Sequence, residues 1–330
     1  MSAPPRIDPA RIAHAAHAIA PVFRDTPTWH SPAIDAACGA LVSCKLELLT
    51  PIRSFKGRGA DWFVASLDPG DTRPLACASA GNFGQGLAWA ARARGRALTV
   101  YAATTANTLK IERMRALGAT VVQHGDDLDA AKTEAKRVAA ARGWHFVEDG
   151  LAPAISEGAG TIAVELLATV MALDVIVAPV GNGALVAGIG AWCAAHAPYV
   201  RVIGVCAAGA PAMAESWRRH RAGVPLAEAI VSHPRVDTIA DGIAIREPIA
   251  EAVADMRDVV HDVVTVSDEA IRDAMRVVWR AGGVVVEASG AAGLAALLDA
   301  AHPWRGLRVA TVLCGGNCTD AQVAEVQLQG

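Results

Sequence analysis

Long apolar runs are missing from this sequence. The single stretch that approaches the length of a membrane span, residues 176–195, is interrupted by Pro179, Asn182 and several glycines. A transmembrane helix needs about 20 predominantly apolar residues in succession, which this stretch does not supply. We therefore interpret it as a strand, a glycine turn and a buried helix, and we predict no membrane partner.

Aromatic residues and charge of one sign are also scarce. Aromatics make up 5% of the chain, and its 30 Lys and Arg residues balance 33 Asp and Glu residues without a long run of either sign. A surface that binds nucleic acid typically carries a basic patch or stripe. The sequence therefore predicts no nucleic-acid partner.

Paired cysteines are the third absence. The seven cysteines are odd in number and show no CxxC spacing, and the ten histidines show no metal-ligand spacing. A disulfide framework or a zinc site requires such patterns. We predict reduced, mostly buried thiols in a cytoplasmic protein, and no bound metal.

The elements that are present alternate between strands and helices. With 330 residues, of which 53% are hydrophobic, the chain is long enough to bury two cores. From residue 74 to residue 147, apolar segments of strand length alternate with helical segments. A second series follows the same order, with a helix predicted over 161–171 and a last strand over 307–313. Such alternation predicts an α/β fold with two open parallel sheets.

One lysine, Lys56, lies in the segment RSFKGRG at residues 53–59, between a predicted strand and a helix. Its small neighbours leave room for a large group. One hypothesis is a solvated lysine at a strand-to-helix turn. The other is a desolvated amine that forms a Schiff base with a carbonyl cofactor, because a lysine in a confined pocket loses its proton more easily than one in water. The segment alone leaves both hypotheses open.

Three glycine-bearing turns follow predicted strands, at residues 79–84, 181–185 and 314–317. In parallel sheets, ligands bind beyond the carboxyl ends of the strands. The first two turns also begin helices, whose terminal amides suit a carboxylate or a phosphate. The second differs from a dinucleotide fingerprint because Val186 occupies the sixth position, which weighs against a nicotinamide or flavin enzyme. Each turn alone is equally consistent with a plain loop.

Taken together, four segments resemble the fold type II pyridoxal-phosphate enzymes. These are SFKGRGA at 54–60, SAGNFGQG at 79–86, GNGALVAG at 181–188 and CGGN at 314–317. The threonine and serine dehydratase (ammonia-lyase) family, which also contains serine racemase, is the most similar. Residues 157–161, 238–242 and 286–288 look like family segments too, so the resemblance covers nearly the whole chain.

The resemblance implies a tryptophan synthase beta-like architecture and a homodimer. A large cofactor-binding domain would comprise residues 1–72 and 153–330, and a small α/β domain, residues 73–152, would be inserted into it. Pyridoxal 5'-phosphate would lie in the cleft between them. The partner expected in that cleft is a small amino-acid substrate.

The resemblance also implies roles for individual residues. Lys56 would hold the cofactor as a Schiff base and act as the catalytic base, with Phe55 beside the ring, Asn82 on its phenolic oxygen and Cys314 facing its pyridine nitrogen. The phosphate would be held by Gly181, Asn182, Gly183, Ala184 and Leu185. The substrate would contact Ser79, Ala80, Gly81, Asn82 and Phe83, with Arg53 nearby.

The thiol at Cys314 bears on the reaction. A neutral thiol does not keep the ring nitrogen protonated as an aspartate would, so the cofactor is a weaker electron sink and prompt loss of a β-substituent is favoured. The expected reaction is conversion of a 3-hydroxy amino acid, of the L-threonine or L-serine type, to a 2-keto acid and ammonia. In the family mechanism, the cofactor phosphate protonates the 3-hydroxyl group, which leaves as water.

Departures from the family pattern leave alternatives for the substrate. Ala80 replaces the serine with which the racemase reprotonates the opposite face, which argues for a lyase over racemisation; β-replacement is a further sibling reaction. Arg53, if it points inward, would favour threo-3-hydroxyaspartate, because guanidinium binds carboxylates bidentately. Phe83 would favour phenylserine. Cys206 replaces a glutamate that ligates the racemase's divalent cation, in agreement with the prediction of no metal.

Overall fold

The computed structural model describes residues 5–299 and 304–329. These residues form ten strands in two sheets. The strands are β1 (Thr28–His30), β2 (Leu41–Leu46), β3 (Leu75–Ala78), β4 (Leu98–Ala102), β5 (Thr120–Gln123), β6 (His145–Phe146), β7 (Val175–Pro179), β8 (Arg201–Ala207), β9 (Asp262–Val266) and β10 (Arg308–Leu313).

Helices cover the sheets and connect most of the strands. They are α1 (Pro9–Ala18), α2 (Pro32–Cys38), α3 (Lys56–Ala65), α4 (Asn82–Ala93), α5 (Thr108–Ala116), α6 (Leu128–Arg142), α7 (Pro153–Thr169), α8 (Ala184–His196), α9 (Ala212–Arg221), α10 (Leu226–Ala229), α11 (Ala250–Met256), α12 (Asp268–Gly282), α13 (Ala288–Leu298) and α14 (Asp320–Gln329). Short 3-10 helices lie at Pro21–Phe23 and Asp241–Ile243. Within the described ranges, no helix is long and apolar enough to cross a membrane.

The larger sheet has six strands in the order β1-β2-β10-β7-β8-β9. β7 is buried along its whole length, as expected for a strand covered by helices on both faces. Separate apolar clusters fill the two faces, one with α12 and α13, the other with α7 and α8. The predicted parallel sheets are confirmed with one exception: β1 pairs with β2 antiparallel, with Thr28 opposite Lys45. A short edge strand of this kind is common beside an otherwise parallel sheet.

The smaller sheet has four parallel strands in the order β5-β4-β3-β6. All four lie inside residues 73–152, the predicted inserted domain. The apolar cluster under this sheet also includes Phe63 and Ile155, from outside that range. The domain boundaries therefore stay a prediction, and residues 1–4, 300–303 and 330 of the predicted large domain lie outside the described residues.

Three helices, α3, α7 and α8, meet at backbone distance. A Cβ added at Gly158 on α7 would lie 2.6 Å from the carbonyl oxygen of Arg58 on α3. A Cβ added at Gly188 on α8 would lie 2.0 Å from the carbonyl oxygen of Ser156 on α7. Glycine is therefore required at these contacts. The helix predicted over 161–171 begins earlier, at Pro153. Glycines at 158 and 160 weaken the local preference for a helix, but the packing of α7 against its neighbours overrides that preference.

Candidate active site

A cavity of about 240 Å³ opens where the carboxyl ends of β3, β7 and β10 approach the first turn of α3. Both sheets contribute to its wall. Thirteen of the fourteen residues predicted for the site line it: Phe55, Lys56, Ser79, Ala80, Gly81, Asn82, Phe83, Gly181, Asn182, Gly183, Ala184, Leu185 and Cys314. The fold therefore brings together residues that lie as much as 259 positions apart in sequence, from 55 to 314.

Lys56 is the first residue of α3, directly after β2 and its turn. Its side chain is 15% exposed. Nζ lies 2.6 Å from Oδ2 of Asp149 and 4.5 Å from the centre of the Phe55 ring. The amine is therefore enclosed between a carboxylate and an aromatic face, at the edge of the cavity. The solvated-lysine hypothesis does not describe this environment.

The turn at residues 181–183 connects β7 to α8. Gly183 has φ +82°, in the left-handed region that glycine enters without strain. A Cβ at Gly183 would also lie 2.9 Å from Sδ of Met256. Within the described residues, no side chain caps the start of α8. The first amides of a helix carry partial positive charge, so this turn can hold an anionic group.

The turn at residues 79–84 connects β3 to α4 and is held by its own serine. Oγ of Ser79 accepts hydrogen bonds from the amides of Gly81, at 3.2 Å, and Gly84, at 3.0 Å. One amide of the predicted carboxylate-binding residues, that of Gly81, is thus already used inside the turn. The serine hydroxyl acts as a brace for the turn as well as a part of the cavity wall.

Glu287, at the start of α13, is the buried centre of a polar cluster. Oε1 accepts a hydrogen bond from the side-chain amide of Asn82 at 2.7 Å, and Oε2 accepts one from the backbone amide of Asn317 at 3.0 Å. Burial and the charge of Asp241 together raise the pKa of Glu287 to about 7, while the charge of Lys110 opposes the shift. A carboxyl group that titrates near neutrality therefore contacts Asn82.

Cys314 lies at the end of β10, on the cavity wall. Its Sγ is 3.8 Å from the carbonyl oxygen of Ser289. Burial, together with the nearby charge of Glu287, raises the pKa of this thiol well above its usual range. Cys314 is therefore a neutral thiol near neutral pH, and it supplies no fixed charge to the cavity.

Comparison with known proteins decides the family. A family model described as pyridoxal-phosphate dependent enzyme matches residues 19–315. The chain belongs to this family. Its cofactor is pyridoxal 5'-phosphate, as the motifs predict.

Individual relatives of this pyridoxal-phosphate enzyme carry two kinds of name. An L-threonine ammonia-lyase of Thermotoga maritima is 35% identical over 90% of this chain and 72% of its own length. A serine racemase of Oryza sativa is 30% identical over 91% of this chain and 87% of its own length. The structure of maize serine racemase superposes with a TM-score of 0.89 at 28% identity, covering 98% of both chains. The chain spans 45% to 75% of the length of the first curated threonine dehydratases and ammonia-lyases that it matches.

The residues of this cavity fit pyridoxal phosphate. The Gly181–Gly183 turn offers uncapped helix amides for a phosphate, and Lys56 offers an amine in the same cavity. Asn82, with its side-chain amide, and Cys314, with its neutral thiol, line the same cavity. Which cofactor atom each of these residues contacts stays a prediction.

Arg53 is the one predicted site residue that is absent from the described cavity lining. It is exposed, and its Nε donates a hydrogen bond to the carbonyl oxygen of Gly316 at 3.0 Å. Its own carbonyl accepts from the amide of Gly316 at 2.9 Å. Arg53 also has φ +53°, an unusual backbone conformation for a residue with a side chain. The structure thus ties Arg53 to the Cys314 turn and away from the cavity.

Several lining residues escaped the sequence analysis. Asp149 follows a short strand and carries no motif signal, and Glu287 lies in a segment noted for its resemblance but not assigned a role. Lys110 and Asp241 form an ion pair across the mouth, and Leu128 adds an apolar contact. The signal available was a charged residue three positions beyond β6 and another just before α13, and it is a weak one.

Proposed function

We propose that this protein is a dehydratase (ammonia-lyase) that converts a 3-hydroxy amino acid of the L-threonine or L-serine type to a 2-keto acid and ammonia. The observation that carries the proposal is the combination, in one cavity, of the enclosed Lys56 amine with a neutral thiol at Cys314. The names of several relatives, including the Thermotoga L-threonine ammonia-lyase, support it.

The chemistry divides between the cofactor and the protein. Bound pyridoxal phosphate supplies an electron sink beside the α-carbon of the substrate. Lys56 removes the α-proton and holds it at Nζ, where Asp149 is 2.6 Å away. Cys314 is neutral and would not keep the ring nitrogen that we place beside it protonated. An unprotonated ring favours prompt loss of the 3-hydroxyl over a long-lived carbanion. Elimination is therefore favoured over reprotonation.

The substrate is positioned by the turn at residues 79–84. The amides of this turn that are not used by Ser79 are placed to bind the substrate carboxylate. Ala80 offers no hydroxyl to reprotonate the opposite face, which supports a lyase over a racemase. Lys110 and Asp241, which form an ion pair, also line this cavity.

A second candidate substrate is favoured by the apolar part of the lining. Phe83, Leu128 and Ile245 line the same cavity, and Arg53 is absent from its described lining. An aromatic 3-substituent, as in phenylserine, would pack against these side chains. A second carboxylate, as in threo-3-hydroxyaspartate, has Lys110 as a cation in the lining, but that lysine is paired with Asp241. The apolar substituent is therefore the better alternative.

The test is a spectrum followed by a substrate panel. The purified protein should absorb in the visible range from its lysine-bound cofactor, in a form sensitive to borohydride. L-Serine, L-threonine, phenylserine and threo-3-hydroxyaspartate are then added singly, and 2-keto acid and ammonia are measured. Equal amounts of both products from at least one substrate support the proposal. Visible absorbance with no keto acid from any of them overturns it in favour of a sibling reaction.

We also propose that the protein is a cytoplasmic homodimer. Each of the seven cysteines, all within the described residues, is buried and forms no disulfide, as suits a reducing compartment. The dimer is implied by the resemblance to the dehydratase family. Light scattering during gel filtration should give about 68 kDa, twice the chain mass of 34.1 kDa. A mass of one chain over a wide concentration range contradicts the dimer.

A further inference from the structure

The carboxylate of Asp149 is the most unusual group in the cavity. It lies three residues beyond β6, whose end is fixed by the hydrogen bond from the amide of Val147 to the carbonyl oxygen of Ala76. Its side chain is 12% exposed, and Oδ2 lies 2.6 Å from Nζ of Lys56. In the part of the chain that the structure describes, the buried Oδ1 has no hydrogen-bond partner. One oxygen of this carboxylate therefore holds the lysine, and the other is unused.

An unused carboxylate oxygen in a buried wall is energetically unfavourable. Leaving a buried acceptor unsatisfied costs about 1–3 kcal/mol. Native proteins pair the large majority of such atoms, so each exception calls for a partner supplied by a ligand or for a catalytic role. Asp149 is one of the residues that line the cavity, so a turn of its carboxyl group about the Cβ–Cγ bond would bring this buried oxygen toward a ligand there.

Two contacts place Asp149 between the lysine and a glycine turn. Its carboxylate contacts Lys56, the residue to which we assign removal of the α-proton. The backbone of the next residue, Gly150, packs against the turn at residues 181–183: a Cβ at Gly150 would lie 2.5 Å from the carbonyl oxygen of Asn182. A substrate whose α-carbon faces Nζ of Lys56 would therefore have its 3-hydroxyl within reach of Asp149.

We propose that Asp149 binds the 3-hydroxyl of the substrate through Oδ1 and returns to that oxygen, as it leaves, the proton that Lys56 removes from the α-carbon. This proposal rests on the proposed dehydratase function and names its proton donor. It differs from the expectation that the cofactor phosphate protonates the leaving group.

The proton and electron count closes within the site. The Cα–H bond breaks and its proton goes to Nζ of Lys56, while the electron pair becomes the Cα=Cβ bond as the Cβ–O bond breaks. The Lys56 ammonium passes the proton to Oδ2 of Asp149, and rotation of the carboxyl group presents it to the leaving oxygen. The products are water and an unsaturated amino acid. Lys56 and Asp149 return to their starting protonation without a co-reactant.

The decisive experiment compares two leaving groups in Asp149→Asn. A 3-chloro amino acid gives the same organic product as the 3-hydroxy amino acid, but chloride leaves without a proton. General acid catalysis typically contributes about 10²–10⁴-fold, so we expect kcat on the hydroxy substrate to fall at least about 100-fold and kcat on the chloro substrate to change less than about 5-fold. Glu148→Gln is the matched control, because the neighbouring carboxylate pairs with Lys132 and Lys136 away from the cavity.

Each outcome has a definite meaning. An equal loss on both substrates overturns the proposal, since a damaged site does not distinguish leaving groups. Full activity on both also overturns it and leaves the phosphate as the donor. If the wild-type protein eliminates neither substrate, the dehydratase function itself fails.

A readout without turnover checks the contact between Asp149 and Lys56. In cofactor-free protein, an acylating reagent should label Lys56 several-fold faster in Asp149→Asn than in the wild type or Glu148→Gln, because the ion pair no longer holds the amine. Peptide mass spectrometry measures the rate. Equal labelling in all three proteins contradicts the contact.

A second variant serves if the asparagine protein folds poorly. In Asp149→Ala, added formate occupies the vacated volume and supplies a carboxylate. Formate should restore turnover of the hydroxy substrate and leave the chloro substrate unchanged. Absence of rescue at any formate concentration, with a normal cofactor spectrum, counts against a proton-transfer role.

Discussion

Two of the three carboxylates in the described cavity lining, those of Asp149 and Glu287, have different hydrogen-bond partners. Both oxygens of Glu287 accept hydrogen bonds, from Asn82 and from Asn317. Asp149 has one oxygen on Lys56 and one with no partner among the described residues. Glu287 is fixed by neutral donors and has its pKa raised to about 7, whereas Asp149 has a cation beside it.

The difference shows that two carboxylates in one cavity can have different roles, one structural and one open to a ligand. A carboxylate whose hydrogen-bonding capacity is filled by the protein holds its neighbours in place. A carboxylate that is only half satisfied is available to a ligand. Burial alone does not distinguish the two; the partners do. The following predictions alter one wall at a time.

The largest effect is expected from Lys56→Ala, which removes the ammonium beside Asp149 and leaves the Glu287 cluster intact. Turnover should fall by about 10³-fold or more, because the base and the cofactor attachment are both lost. The borohydride-sensitive absorbance should disappear. Lys132→Ala, which removes a lysine outside the cavity, should keep both properties. Retention of absorbance and turnover in Lys56→Ala would disprove the assignment.

Glu287→Gln should change the pH dependence of stability in the cofactor-free protein. The pKa of Glu287 is raised from its ordinary 4.5 to about 7, so the folded state binds a proton that the unfolded state has lost between those values. The wild type should therefore lose roughly 3 kcal/mol of this contribution to its unfolding free energy as pH rises from about 4.5 to about 7.

The glutamine variant has no carboxyl group and should lack this component. Urea unfolding across that pH window, with Glu148→Gln as a control for the loss of a carboxylate elsewhere, measures it. A constant difference between wild type and Glu287→Gln at every pH would show that Glu287 titrates normally.

Cys314→Asp would add a carboxylate to the three in the described cavity lining. A carboxylate there would keep the ring nitrogen protonated, which favours slower alternatives such as transamination over elimination. We expect the ratio of keto acid release to transamination to fall several-fold. Cys314→Ser, whose hydroxyl is also neutral, should keep the wild-type ratio. Unchanged partitioning in the aspartate variant would refute the argument from ring protonation.

The smallest effect is expected from Arg53→Gly, which lies outside the described cavity wall. Glycine adopts the left-handed backbone conformation at this position without the strain of about 1–2 kcal/mol that a residue with a side chain pays. Two losses oppose this gain: the side-chain hydrogen bond to Gly316, worth about 1 kcal/mol, is removed, and the unfolded chain becomes more flexible. The unfolding free energy should change by less than about 1 kcal/mol. Turnover of L-serine relative to threo-3-hydroxyaspartate should stay constant; a tenfold change would place Arg53 in substrate recognition after all.

Much of the fold could be predicted from local patterns. Alternation of strands and helices between residues 74 and 147 predicts the smaller sheet, whose four strands all lie in that range. Ser267, a residue type that favours helix starts, caps α12 by accepting a hydrogen bond from the amide of Ala270. These features depend on residues close in sequence. The antiparallel β1 and the early start of α7 depend on distant packing, which local patterns do not contain.

The candidate site divides in the same way. Its glycine turns and Lys56 could be found because their segments carry distinctive residue types. Asp149 lies in the segment VEDGLAP, which resembles an ordinary polar loop. It becomes a neighbour of Lys56 only when residues 93 positions apart are brought together. Arg53 is the reverse case. Its place beside Lys56 in sequence predicted that it lies near the substrate, but its side chain donates a hydrogen bond to the carbonyl oxygen of Gly316 instead.

The close contact of α3, α7 and α8 has a consequence for how this protein tolerates change over evolution. Lys56 begins α3 and the turn at residues 181–183 precedes α8, so the distance between the proposed cofactor attachment point and the proposed phosphate site depends on the main-chain contacts at Gly158 and Gly188. A single methyl group added at either glycine would force these helices apart and change that distance, although neither residue is part of the described cavity lining.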